Sequence, residues 1–125
     1  MRQIKMIALA AVLSFSLYSC SDNEPETTAK NFINLTNQGE FAEAKKLGTE
    51  QTASFLSMSE NLLGDKKAEM KEKAKDLKIE ILSSDIKEDK AKVTYKVIGA
   101  NIDKEQHLDL VKVDGAWKVD INFGL

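Results

Sequence analysis

Four side chains in the second half of the chain carry groups suited to proton transfer: Tyr95, His107, Asp109 and Asp120. His107 is the only histidine, and Asp109 follows two residues later. On a strand, that spacing puts both on one face, as an imidazole–carboxylate pair for acid–base work requires. Asp120 lies opposite Asp109 if the intervening Asp114-Gly115 forms a two-residue turn. Close carboxylates push one pKa up. The competing reading is a solvated strand face, with Lys118 offsetting the two aspartates. Tyr95 could polarise a carbonyl, and Trp117 could stack on a ligand. Both also sit among alternating apolar residues, where packing alone accounts for them. No serine sits in a nucleophile elbow, the glycines stand singly, and no metal-ligand spacing occurs. The sequence therefore points to no metal and no cofactor.

These residues must be positioned by strands, and the alternation is legible. Beyond Lys78 the apolar period changes from helical to two. Strands are expected over 79–86, 91–98, 107–113 and 116–123, with turns at 88–90 and 99–103. Asp-Gly between alternating segments predicts a hairpin. A two-residue loop sets Lys112 opposite Trp117, Leu110 opposite Val119, and Leu108 opposite Ile121. Leu108, Leu110, Trp117, Val119, Ile121 and Phe123 then share the buried face. His107, Asp109, Lys118, Asp120 and Asn122 share the other, and a one-residue slip would mix the two sets.

The first half reads as helices. Pro25 suits a first helical turn. Ala29, Phe32, Ile33 and Thr36 follow at helical spacing, and Gly39 ends the segment. A short helix should hold Phe41, Ala44 and Leu47. Thr49 is placed to cap a third helix, with Thr52, Phe55, Leu56, Leu62 and Leu63 as its buried stripe. Gly64 should close it and Asp65 cap a fourth over 66–78. That last segment is lysine-rich, but Glu69, Glu72 and Asp76 interrupt the lysines, so it reads as a solvated face. Helices followed by a meander argue for an α+β fold: N-terminal helices packed on a four-stranded antiparallel sheet.

The remaining reactive group is Cys20, the only cysteine of the 125 residues. No disulfide partner and no thiolate cluster exist for it. Arg2 and Lys5 precede an apolar run over residues 6–18, too short for a comfortable membrane span. Leu17-Tyr18-Ser19-Cys20 resembles a lipobox. The resemblance implies diacylglycerol transfer to the Cys20 thiol and cleavage after Ser19. Residues 1–19 are then a signal peptide, 20–25 the lipidated cysteine and a short tether, and 26–125 one domain. Two or more acyl chains give stable anchoring. The acidic Ser21-Asp22-Asn23-Glu24 resembles a signal for display on the outer face, or is a plain tether. The expected location is the cell envelope, lipid-anchored in the outer membrane.

Whole-chain charge is −2. Without the signal, 16 lysines and no arginine stand against 20 acidic residues. An acidic, arginine-free domain is a poor nucleic-acid binder.

Three pieces carry a wider resemblance. They are Asn37-Gln38-Gly39-Glu40-Phe41-Ala42-Glu43-Ala44 after the first helix, Asp89-Lys90-Ala91-Lys92-Val93-Thr94-Tyr95, and Leu108-Asp109-Leu110-Val111-Lys112-Val113-Asp114-Gly115-Ala116-Trp117-Lys118-Val119. Together they resemble small bacterial lipoproteins of unknown function with a cone-shaped fold like nuclear transport factor 2, loosely cystatin-like. The resemblance implies a curved sheet around the helices and a pocket at the open end, here to be lined by Phe32, Phe55, Leu56, Tyr95 or Trp117. That superfamily includes isomerases, cyclases and non-catalytic binders, so activity does not transfer with the fold. The expectation is a non-enzymatic envelope domain binding a small apolar ligand or an envelope protein. The alternative is an isomerase- or cyclase-like enzyme with a pocket acid–base residue.

Overall fold

The structure is a computed structural model that describes residues 24–99 and 104–121. Ser19, Cys20, Asn122 and Phe123 lie outside the described residues. The elements are α1 (Pro25–Asn37), α2 (Phe41–Lys45), α3 (Glu50–Leu63), α4 (Lys67–Ala74), β1 (Lys78–Lys87), β2 (Lys90–Ile98), β3 (Gln106–Val113) and β4 (Ala116–Val119). The four strands form one antiparallel meander in the order β1-β2-β3-β4. This is the α+β architecture expected from the sequence.

Pro25 opens α1, and Thr28, Ala29, Phe32 and Ile33 form its buried stripe. The helix ends where Gly39 takes a φ of +77°, with Glu40 N–H donating to Leu35 O at 2.8 Å. That conformation favours glycine. Ala29, Phe32, Phe41, Ala44 and Leu56 from the helices meet Ala91, Val93, Leu110, Trp117 and Val119 from the sheet. Ile33, Ile79 and Tyr95 extend the core toward the start of β1.

The Asp114-Gly115 hairpin has the expected register, with Leu110 opposite Val119 and Lys112 opposite Trp117. Both turn residues have positive φ, 52° and 84°, as a tight hairpin turn requires. Lys112 Nζ lies 5.7 Å from the centroid of the Trp117 ring. β4 is shorter than the alternation suggested. Asp120 N–H still donates to Asp109 O at 2.8 Å, but Ile121 N–H turns away to the Thr52 hydroxyl, also at 2.8 Å.

That hydroxyl is the centre of a junction between α3 and β4. Thr52 is fully buried and donates to Val119 O at 2.8 Å. Thr49 caps α3 as expected, accepting from Thr52 N–H at 3.4 Å. Gly48 makes a parallel bridge with Val119, which covers the outer side of β4. A Cβ at Gly48 would stand 2.6 Å from Thr52 Cγ2.

Two expectations about the helices need correction. Leu62 and Leu63 are exposed, and only Thr52 and Leu56 of α3 are buried. Gly64 keeps right-handed helical φ and starts a 3₁₀ turn (Gly64–Lys66), and Asp65 caps nothing. One departure in the sheet matters for the site. The β1–β2 register shifts between Ile81 and Ser83, so Leu82 is an extra residue in a bulge. Ile79 and Ile81 face the core before it. After it, Asp85 pairs with Lys92 on the outer face.

Candidate functional site

The side chains proposed to line a pocket do something else. Phe32, Leu56, Tyr95 and Trp117 are buried core members, and Phe55 packs against the same cluster. Small helices and a short sheet meet closely enough for these rings to fill the cone themselves, so the expected pocket is replaced by core. Tyr95 reaches the core edge, where its hydroxyl donates to Gln106 Oε1 at 3.3 Å. Burial raises its pKa above the ordinary phenol value, which keeps the hydroxyl a donor.

The polar candidates gather on the outer sheet face. The β2–β3 register puts Lys92 opposite Asp109 and Thr94 opposite His107. Asp85, Lys92 and Asp109 therefore form one row across three strands. Asp120 stands next to Asp109 through the backbone hydrogen bond already described. Thr49 Oγ1 donates to Asp120 Oδ1 at 3.1 Å and fixes the carboxylate.

Asp120 borders two surface hollows. One, of about 400 Å³, is lined by Asp85, Lys87, Lys90, Lys92 and Asp109 together with it. The other, of about 470 Å³, lies toward Thr49, Gln51, Val113 and Lys118. The arrangement can offer carboxylates as proton acceptors beside lysine ammonium groups as donors.

His107 does not pair with Asp109 in this arrangement. Its Nδ1 lies 3.1 Å from Thr94 Oγ1, across the strand pair. Adjacent positions on one strand face are farther apart than cross-strand neighbours, and Thr94 is the nearer partner. Sequence reasoning missed Thr49, Thr94, Asp85 and Lys92 as site members. Alternation within β2 puts Lys92 and Thr94 on the face opposite Ala91, Val93 and Tyr95, but no tight turn fixes the β2–β3 register. Among the described residues no three His, Cys, Asp or Glu side chains converge to hold a metal ion. No described helix is long and apolar enough to cross a membrane.

A short meander with helices on one face defines the class: a small α+β domain. It is similar to a solved Campylobacter jejuni chain provisionally named an NTF2-like transpeptidase. The two share 24% identity over 80% of this chain and 100% of that chain, with a TM-score of 0.57. At that identity the likeness carries the fold. Residues 18–120 match the profile of the domain of unknown function DUF4878, and the chain belongs to that family. No curated protein matches it. The expectation of a non-enzyme is corrected here: a chain of this fold carries an enzyme's name, and a missing motif is no ground for excluding catalysis.

Proposed function

We propose that this protein is a lipid-anchored NTF2-like enzyme of the cell envelope, with isomerase- or cyclase-type acid–base chemistry on its outer sheet face. The observation that carries this is Asp120. It is oriented by Thr49, set beside Asp109, and borders two hollows. In this reading a carboxylate of the pair takes a proton next to a substrate carbonyl. Lys92, opposite Asp109, offsets the charge that develops on the carbonyl oxygen. The core carries none of this chemistry, because its aromatic residues are packed.

The test is exchange of α-protons for deuterium in a panel of ketones and 2-oxo acids, followed by NMR. The protein should accelerate exchange for at least one member. Asp120→Asn should lower that rate by about 100-fold or more, the usual scale of a general base. An inert wild-type protein would remove the reading.

The anchor part rests on Leu17-Tyr18-Ser19-Cys20. Mass spectrometry of the membrane fraction should find Cys20 as the first residue, carrying acyl chains. An unmodified cysteine would sink it.

A second reading rests on the Thr94–His107 contact. A hydroxyl 3.1 Å from an imidazole nitrogen is the pairing that acyl transfer uses, and the related chain bears a transpeptidase's name. A peptide thioester should then leave an acyl group on Thr94, detectable by mass and absent in Thr94→Val. No adduct would leave the carboxylate reading alone.

A further inference from the structure

We propose that the β1–β2 hairpin is the part of the domain that rests on the bilayer. The inference builds on the reading that Cys20 carries the lipid, and it adds an orientation and a contact surface. Pro25 starts α1, and the next residue, Glu26, accepts a hydrogen bond from the Ser84 hydroxyl. The chain therefore enters the fold beside the second half of β1. Five peptide steps separate Cys20 from Pro25, a reach of at most about 18 Å. Whatever surface lies around Ser84 is held against the membrane by that limit.

That surface is apolar where it need not be. Leu82 is 39% exposed and Ile86 54% exposed, one on each side of Ser84. Lys87, Lys90 and Lys92 follow in the same hairpin on its outer face, whereas Ile86 stands opposite Ala91 on the core side. Asp85, Glu88 and Asp89 balance those three charges, so the contact is apolar in origin and does not depend on anionic lipid.

Among the described residues Ile98 and Val113 are also exposed, each by itself, and Met58, Leu62 and Leu63 form a group near the end of α3. It leads into Gly64–Lys66 and α4. Lys67 and Met70 of α4 lie against Gly39, just beyond the far end of α1. A 13-residue helix is about 20 Å long, so the tether leaves this group at the distant end.

The same hairpin supplies Asp85, Lys87, Lys90 and Lys92 to the hollow on its outer face, shared with Asp109 and Asp120.

The test uses the mature chain coupled through Cys20, its only cysteine, to a maleimide phospholipid. Vesicles of phosphatidylethanolamine and phosphatidylglycerol receive the product, and the control is the same chain capped with a soluble maleimide. Backbone hydrogen exchange should slow severalfold over residues 82–90 on vesicles, and added salt should not reverse it. Ile86→Asp, and separately Leu82→Ser, should abolish the slowing while keeping the thermal midpoint. Protection over residues 58–63 instead, no protection, or loss of protection in salt would each overturn the orientation. Because the lipid is attached chemically, these outcomes are independent of whether cells acylate Cys20, which the mass measurement above decides.

Discussion

The two halves of α3 have similar composition and opposite fates. The first half is locked to the sheet: Thr52 is fully buried and bonded to Val119 and Ile121, and Leu56 is 2% exposed. The second half carries Leu62 at 72% exposed and Met58 nearly as open. Residue type does not decide between them. What decides is whether an opposing surface exists: Leu56 joins the core cluster with helix and sheet residues, and Leu62 does not. Local hydrophobicity sets what a helix can bury, and tertiary geometry sets what it does bury.

The sharpest way to break this contrast is the same deletion at both ends. Leu56→Ala should cost about 3 kcal/mol, the usual range for a core cavity. Leu62→Ala should stay within about 0.5 kcal/mol. Urea denaturation of both variants checks the pair, and equal losses would mean that the two halves are packed alike.

A smaller effect is expected from Thr52→Val, which keeps the volume and removes the hydroxyl. Val119 O retains Thr49 N–H at 2.9 Å, but Ile121 N–H loses its acceptor. The expected cost is about 2 kcal/mol, with faster amide exchange at Ile121. Exchange left unchanged would show that the hydroxyl does not hold β4 to α3.

The smallest effect belongs to the loose end. Lys67 pairs with Glu40, and its hydrogen bond holds the Glu40 carboxyl below the ordinary value of 4.5. The same bond raises Lys67 above 10.5. A depressed carboxylate stabilises above its unfolded pKa and loses that contribution as pH falls through the folded value. A raised ammonium loses its contribution as pH rises through the folded value. The stability difference between the wild-type protein and Glu40→Gln should thus be level between these limits and shrink beyond each. Both side chains are partly in water, so it should be small and fade with salt. Chemical denaturation across the pH range reads it, and a difference that persists in acid would assign the effect elsewhere.

The same division explains what the sequence could reveal. The Asp114-Gly115 turn fixes register locally, so Leu110 and Val119 were placed correctly from spacing alone. Gly39 and Thr49 act within their own turns and were equally legible. The bulge at Leu82 was not, because an extra residue leaves no mark on composition. Without it, strict alternation sends Asp85 toward the core side and separates it from Lys92. The Asp120 environment was half legible. Its closeness to Asp109 follows from the hairpin, whereas the Thr49 hydroxyl comes from a helix cap 71 residues away. The cone pocket failed as an expectation because alternation identifies which rings point inward, and cannot say whether they leave space.

The parallel bridge from Gly48 to Val119 has a consequence for the lipid-anchored state proposed above. Anchored molecules are confined to a plane, where neighbours meet far more often than in free solution. An uncovered strand in that setting invites lateral growth of one sheet onto the next. Here the molecule's own loop occupies the outer side of β4. β1, the other margin, is interrupted by the bulge at Leu82 and carries Lys78, Glu80, Asp85 and Lys87. Under that proposal, both margins of the sheet oppose edge-to-edge pairing between crowded copies.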